Sequence, residues 1–311
     1  MPRYPALRLS ILFAAMAVIV VIAQQDKPAQ VRQMRANGTD LSYVEQGRGV
    51  PVVFVHGAVG DLRFWEPQRN AFAKQHRFVA YTFRYHGTGP WPDDGKQYSA
   101  ETHAADLAAF ISGLNAGPVH IVGLSYGGML AAMVALKEPQ LIRTLTLAEP
   151  GLFSLLTERP DSAPVVEQWT KGIEPMAASM KAGDSTGALR HLFALVTGGR
   201  PEDFDTLPDS LRQILLDNGR TMALLFATTP PNVTCGMLKS INTPTFIVRG
   251  ENTPVVFSKI NDAVSTCIAG SKVGVIPKAS HTMSFDNPAE FNRAVLRFVT
   301  QADASPRRDA R

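Results

Sequence analysis

Cysteine is nearly absent: Cys235 and Cys267 are the only two in 311 residues. That excludes a small scaffold stapled by disulfides, and their spacing matches no zinc-ligand pattern. A strong charge of either sign is also missing, the formal net charge being +4. No basic stripe interleaved with aromatics occurs, which excludes the electrostatic footprint of a nucleic-acid binder. No short-period repeat occurs either, which excludes a solenoid.

Long hydrophobic runs are lacking as well. The longest, Leu9 to Ala23, has 15 residues and follows Arg3 and Arg8, so it is short for a membrane span. It ends in Val21-Ile22-Ala23, the small-residue pattern of a cleavage site. Residues 1–23 are therefore read as a signal peptide, with an uncleaved signal anchor as the alternative. The protein is expected to be exported, periplasmic or secreted, or to be held at a membrane if the leader stays attached. Export permits a disulfide between Cys235 and Cys267, and two buried free thiols fit the composition equally well.

What is present suits a globular enzyme-sized chain: 45% of residues are hydrophobic and 19% charged, enough to build a core. Strand and helix patterns alternate over residues 31–301. VRQMRANG and DLSYVEQG form a β-ribbon around an Asn-Gly turn. PVVFVHG, RFVAYTF, PVHIVGL, Leu141–Ala148, Thr245–Val248 and Lys272–Ile276 read as buried strands. Helical stretches fall at Leu62–Ala73, Ser99–Leu114, Gly127–Lys137, Val255–Ile268 and Pro288–Thr300. Repeated βα units predict an α/β fold with a doubly wound, mostly parallel sheet. Residues 152–231 change to a helical period and read as an insertion, and residues 302–311 as a disordered tail.

The chemistry concentrates in three loops. GLSYG, Gly123 to Gly127, is a G-x-S-x-G motif between a strand and a helix. Small neighbours let the chain turn sharply while Ser125 projects outward as a nucleophile. HGAVG, His56 to Gly60, follows the strand PVVFV. The Ala58 amide there and the Tyr126 amide after the serine are candidates for an oxyanion hole. ASHTM carries His281 in a loop before the last helix. A serine hydroxyl needs an adjacent base, and His281 alone among seven histidines follows the final strand. His56 reads as a structural residue of its loop, His86 as a residue shaping the loop near the site, and the rest as packing or surface residues.

The blocks HGAVGDLRFW, FRYHGTGPW, YSAETHAADLAAFI, GLSYGGMLAAMVAL and PKASHTMSFDNPAEFNRAVLRFV occur in the order and spacing of the α/β-hydrolase fold superfamily. The chain resembles that family over residues 31–301. The resemblance implies a helical cap over the site, Ser125 as nucleophile and His281 as general base. Most members place the acid after the strand PTFIVRG, at the position held here by Thr253, which cannot carry it. Two carboxylates remain: Glu149, after the preceding strand, and Glu251, two residues early. The order Ser125, Glu149, His281 matches the family's nucleophile, acid, base order.

The expected activity is ester hydrolysis through an acyl-enzyme, on a small or medium apolar substrate, with no metal or organic cofactor. Cleavage of a C–C bond, lyase or perhydrolase chemistry, and a non-catalytic ligand receptor are the alternatives. Apolar cap residues Phe153, Trp169, Met176, Met180, Phe193, Met222, Leu225 and Phe226 either line a pocket over Ser125 or pack the cap.

Overall fold

The computed structural model describes residues 29–304, apart from Pro92. The leader assigned to residues 1–23 lies outside the described residues. Eight strands form one sheet: β1 (Arg32–Ala36), β2 (Thr39–Gln46), β3 (Pro51–Val55), β4 (Arg77–Tyr81), β5 (Val119–Leu124), β6 (Ile142–Ala148), β7 (Thr245–Gly250) and β8 (Lys272–Ile276). Their order is β1-β2-β4-β3-β5-β6-β7-β8. β1 with β2 and β2 with β4 are antiparallel, and all other neighbours run parallel. The hairpin joining β1 and β2 turns at Asn37 and Gly38, both at positive φ, as a tight two-residue turn requires.

β3 and β5 are buried at every residue because helices cover both faces. The helices of the core are α1 (Glu66–Ala73), α2 (Ala100–Gly113) and α3 (Tyr126–Lys137). Ser99 caps α2 by accepting the Thr102 amide. Between β6 and β7 the described chain holds no strand; its α-helices there are α4 (Ser154–Thr157), α5 (Ala163–Lys181), α6 (Ser185–Thr197), α7 (Asp209–Asn218), α8 (Met222–Ala227) and α9 (Cys235–Leu238), with three short 3-10 turns between them. The chain then returns through α10 (Val255–Cys267), α11 (Met283–Asp286) and α12 (Pro288–Ala304). Cys235 and Cys267 are joined by a disulfide that ties α9 to the end of α10. No described helix is long and apolar enough to cross a membrane.

Several boundaries differ from the sequence reading, two of them for a visible reason. β4 stops at Tyr81 rather than Phe83, because the chain there leaves the sheet for the loop that holds His86. Residues 302–304, expected in a disordered tail, form the last turn of α12. Asp303 explains the extra turn: its carboxylate meets Arg143 Nε at 2.6 Å, His76 Nε2 at 3.1 Å and His120 Nε2 at 3.2 Å. Those contacts fasten the end of α12 to the N-terminal ends of β4, β5 and β6, opposite the end that carries Ser125.

Candidate active site

β5 delivers Ser125 into a strained turn, with φ 55° and ψ −119°, at the N-cap of α3. The turn is fixed from both sides: the Ser125 amide donates to the Ala148 carbonyl, and its own carbonyl accepts from Met129 and Gly151. The flanking glycines are explained by crowding. A Cβ on Gly123 would stand 2.5 Å from the Gly127 carbonyl oxygen. A Cβ on Gly127 would stand 2.4 Å from the carbonyl oxygens of both Val55 and His56. The loop after β3 therefore lies directly against the serine turn, which brings Ala58 to the same cavity as Ser125.

Tyr126 opens α3, where a first-turn amide has no partner within the helix. His56 is fully buried, its pKa pushed down to about 3 by burial. The neutral ring satisfies both nitrogens: Nδ1 donates to the Gly57 carbonyl at 2.8 Å, and Nε2 accepts the Phe83 amide at 3.2 Å. It builds the loop and has no free nitrogen for proton transfer. His86 contacts the Ala58 carbonyl at 2.9 Å through Nε2, which anchors the same loop from behind.

His281 sits between β8 and α11 and is buried at 5% exposure. Its Nδ1 lies 2.6 Å from Glu149 Oε2. Glu149 follows β6, is fully buried, and adopts φ 43°. That left-handed backbone, strained for a non-glycine residue, turns the side chain toward β7. There Oε1 accepts the Gly250 amide at 2.8 Å, and Oε2 accepts the Thr253 hydroxyl at 2.8 Å. A buried carboxylate needs such donors, and both come from the end of β7 and the loop after it. Thr253 thus holds the acid rather than replacing it. Glu251 points elsewhere, its Oε2 accepting the Lys278 amide at 2.8 Å on the surface.

The loop of His281 closes against Gly250. A Cβ there would meet the Ala279 and Ser280 carbonyl oxygens, each at 2.4 Å. Gly250→Ala must push the His281 loop outward while leaving Ser125 and its turn in place. We expect the folded variant to react with a serine-directed probe about a hundredfold more slowly, since a shift near 1 Å has effects of that order.

Ser125 and His281 share a cavity of about 110 Å³ with Leu124 and Phe64. The cap contributes Leu189, Leu192, Phe193 and Val196 from α6, and Leu211 and Leu215 from α7. Of the eight apolar cap residues singled out in the sequence, Phe193 alone lines it. Met176 and Met222 are buried within the cap, Phe226 is 44% exposed, and Phe153 and Trp169 pack on Phe257. The missed signal was the spacing 189, 192, 193, 196, one face of a helix.

Among the described residues, one group of side chains has the spacing of a metal site. The ligand atoms of His76, His120 and Asp303 lie within 4.8 Å of one another. The Arg143 guanidinium, 2.6 Å from Asp303 Oδ1, already supplies the positive charge a cation would bring. The group reads as the clamp on α12.

A family model described as the alpha/beta hydrolase fold matches residues 50–288. The chain is 22% identical over 299 residues to the 2-hydroxymuconate semialdehyde hydrolase of Pseudomonas sp. (strain CF600), covering 91% of this chain and 98% of that protein. Among solved structures, the enol-lactonase from Burkholderia xenovorans LB400 superposes with a TM-score of 0.70 at 18% identity, covering 86% of this chain and all of that one. A thermophilic esterase from Thermogutta terrifontis gives 0.69 at 22% identity, covering 88% of this chain and 99% of that one. At these identities the solved structures speak for the fold alone, whereas the family match spans most of the sequence. The chain belongs to the alpha/beta hydrolase fold family.

Proposed function

We propose that the protein cleaves a carboxylic ester through an acyl-enzyme, with Ser125 as nucleophile, His281 as general base and Glu149 as the acid that orients it. The supporting observation is the contact of Glu149 Oε2 with His281 Nδ1, in a cavity that also holds Ser125 at a strained strand-to-helix turn. A carboxylate only accepts, so the proton stays on Nδ1 and Nε2 keeps its lone pair. Nε2 takes the Ser125 proton as Oγ bonds to the substrate carbonyl carbon, and the amides of Ala58 and Tyr126 receive the oxyanion. Collapse breaks the ester bond, and the imidazolium returns its proton to the departing alcohol. Water, deprotonated by the same nitrogen, then attacks the acyl-enzyme and releases the carboxylic acid and Ser125.

The cavity favours an uncharged apolar acyl group. No lysine or arginine is among its lining residues, and a buried carboxylate without a counter-charge is strongly disfavoured. C–C bond hydrolysis would use the same groups. Labelling of Ser125 by a fluorophosphonate, beside turnover of p-nitrophenyl esters, tests the proposal. We expect rapid labelling that is lost in His281→Ala, with ester turnover blocked by the label. Folded wild type that resists the probe would point to a ligand receptor; labelling without turnover of any ester would point to another bond.

We further propose that residues 1–23 act as an export leader, a reading the Cys235–Cys267 disulfide supports. N-terminal sequencing of the cell-made protein distinguishes a cleaved from an anchored form.

A further inference from the structure

Phe257 lies in the first turn of α10 and is 1% exposed. Its ring lies on the His281 imidazole, with ring centroids 3.9 Å apart and planes inclined by 18°. Trp169, from cap helix α5, sets its plane at 78° to the same phenyl ring at 5.6 Å, and Phe153, just after β6, stands 6.0 Å from it. Phe153 and Trp169 stack on each other at 4.9 Å. The phenyl ring is therefore held by the cap and by the segment leaving β6, while one face covers the imidazole. The helix that carries it is anchored at its other end by the Cys235–Cys267 disulfide, and beside Phe257 by the Lys259–Asp161 ion pair.

Glu149 restrains the imidazole along one line only. The contact from Oε2 to Nδ1 fixes a direction in the ring plane and leaves the ring able to roll about that line. A roll swings Nε2 away from Ser125, which a proton transfer cannot tolerate. A flat contact on the ring face removes that freedom. The same short stretch of chain supplies both restraints, since Thr253 holds Glu149 Oε2 and Phe257 covers His281. An aromatic face also attracts the cation that forms when the imidazole accepts a proton.

Resting on the serine-hydrolase reading above, we infer that Phe257 is a positioning residue for His281, fixing the plane of the imidazole and giving the imidazolium an aromatic face. Met180, Met222 and the other cap residues do not share this role, because none of their side chains stacks on His281.

The test compares fluorophosphonate labelling of Ser125 in wild type, Phe257→Leu, Phe257→Met and Phe257→Tyr, with thermal melts of each. Two aliphatic replacements of similar bulk separate loss of the ring from a packing defect peculiar to one side chain. Labelling is expected to slow about tenfold in the Leu and Met variants and to return to within about threefold of wild type in the Tyr variant, which restores the face. A proton spectrum gives an independent signature: the upfield ring-current shift of the His281 ring protons should be present in wild type and Phe257→Tyr, and lost with Leu or Met. Leu and Met variants that label as fast as wild type would overturn the inference and leave the hydrolase reading standing. So would a Tyr variant that melts like wild type and keeps the ring-current shift but labels as slowly as Leu. Failure of wild type itself to label would instead remove the hydrolase reading on which the inference rests.

Discussion

Glu149→Gln should slow fluorophosphonate labelling of Ser125 by a factor on the order of 10³ to 10⁴, without unfolding the protein. The size follows from which atom the amide would turn toward the histidine. Glu149 Oε1 accepts the Gly250 amide, and only an oxygen can stay there. The glutamine NH₂ must then occupy the place of Oε2, 2.6 Å from His281 Nδ1. A donor facing Nδ1 drives the ring proton to Nε2, which faces the serine and can no longer accept its proton. The Thr253 hydroxyl, a donor in wild type, would instead accept from the glutamine NH₂. Glu251→Gln serves as the control: its carboxylate holds the Lys278 amide at the surface, and labelling should stay within about twofold, as surface substitutions seldom do more. Equal slowing in both variants, or slowing in Glu251→Gln alone, would remove Glu149 from the role.

The second large effect concerns pH. Burial lowers the pKa of His56 to about 3 and that of His120 to about 4, and it also lowers those of His86 and His103. In the unfolded chain each would titrate near 6.5. Above that value neither state binds the extra protons, and the groups leave stability unchanged. As pH falls from about 6.5 toward 4, the unfolded chain takes up protons that the folded one refuses, so stability falls with pH across that window. With two histidines shifted this far, the loss should reach several kcal/mol. Thermal melts at pH 7 and pH 4.5 should differ by on the order of 10 °C. An unchanged midpoint would mean that these imidazoles take up their protons within the fold. The acidic groups Asp161, Asp203 and Glu290, with lowered pKa values, sit in solvent-screened surface pairs and add little to this window.

Some of this was legible in the sequence, and the rest fails for identifiable reasons. The turn around Ser125 is a local object: apolar strand, small residues and helix follow one another within a dozen positions, so pattern alone defines it. His281 is legible through elimination among few histidines. Glu149 is less so, because its partner lies 132 residues away and only the side-by-side pairing of β6, β7 and β8 brings the two loops together. Thr253 could be read only as a missing acid, since its value as a hydroxyl donor depends on a carboxylate from another strand. The cap fared worst. Its apolar residues lie on several helices that pack both on each other and on the core, and nothing in Met176 or Trp169 distinguishes inward from sideways. The last turn of α12 depends on contacts from Asp303 to residues 227 and 183 positions earlier, a range at which a short charged tail looks like any other.

The meeting of Thr253 and His281 on one oxygen of Glu149 also bears on how such sites diverge. Residues 149 and 253 lie in the loops that follow neighbouring parallel strands, and their side chains already touch. A lineage with its carboxylate on either strand could acquire the second before discarding the first, never passing through an ancestor that had none. The hydroxyl at Thr253 is what such a crossing would leave behind: a position relieved of its charge and kept for its reach.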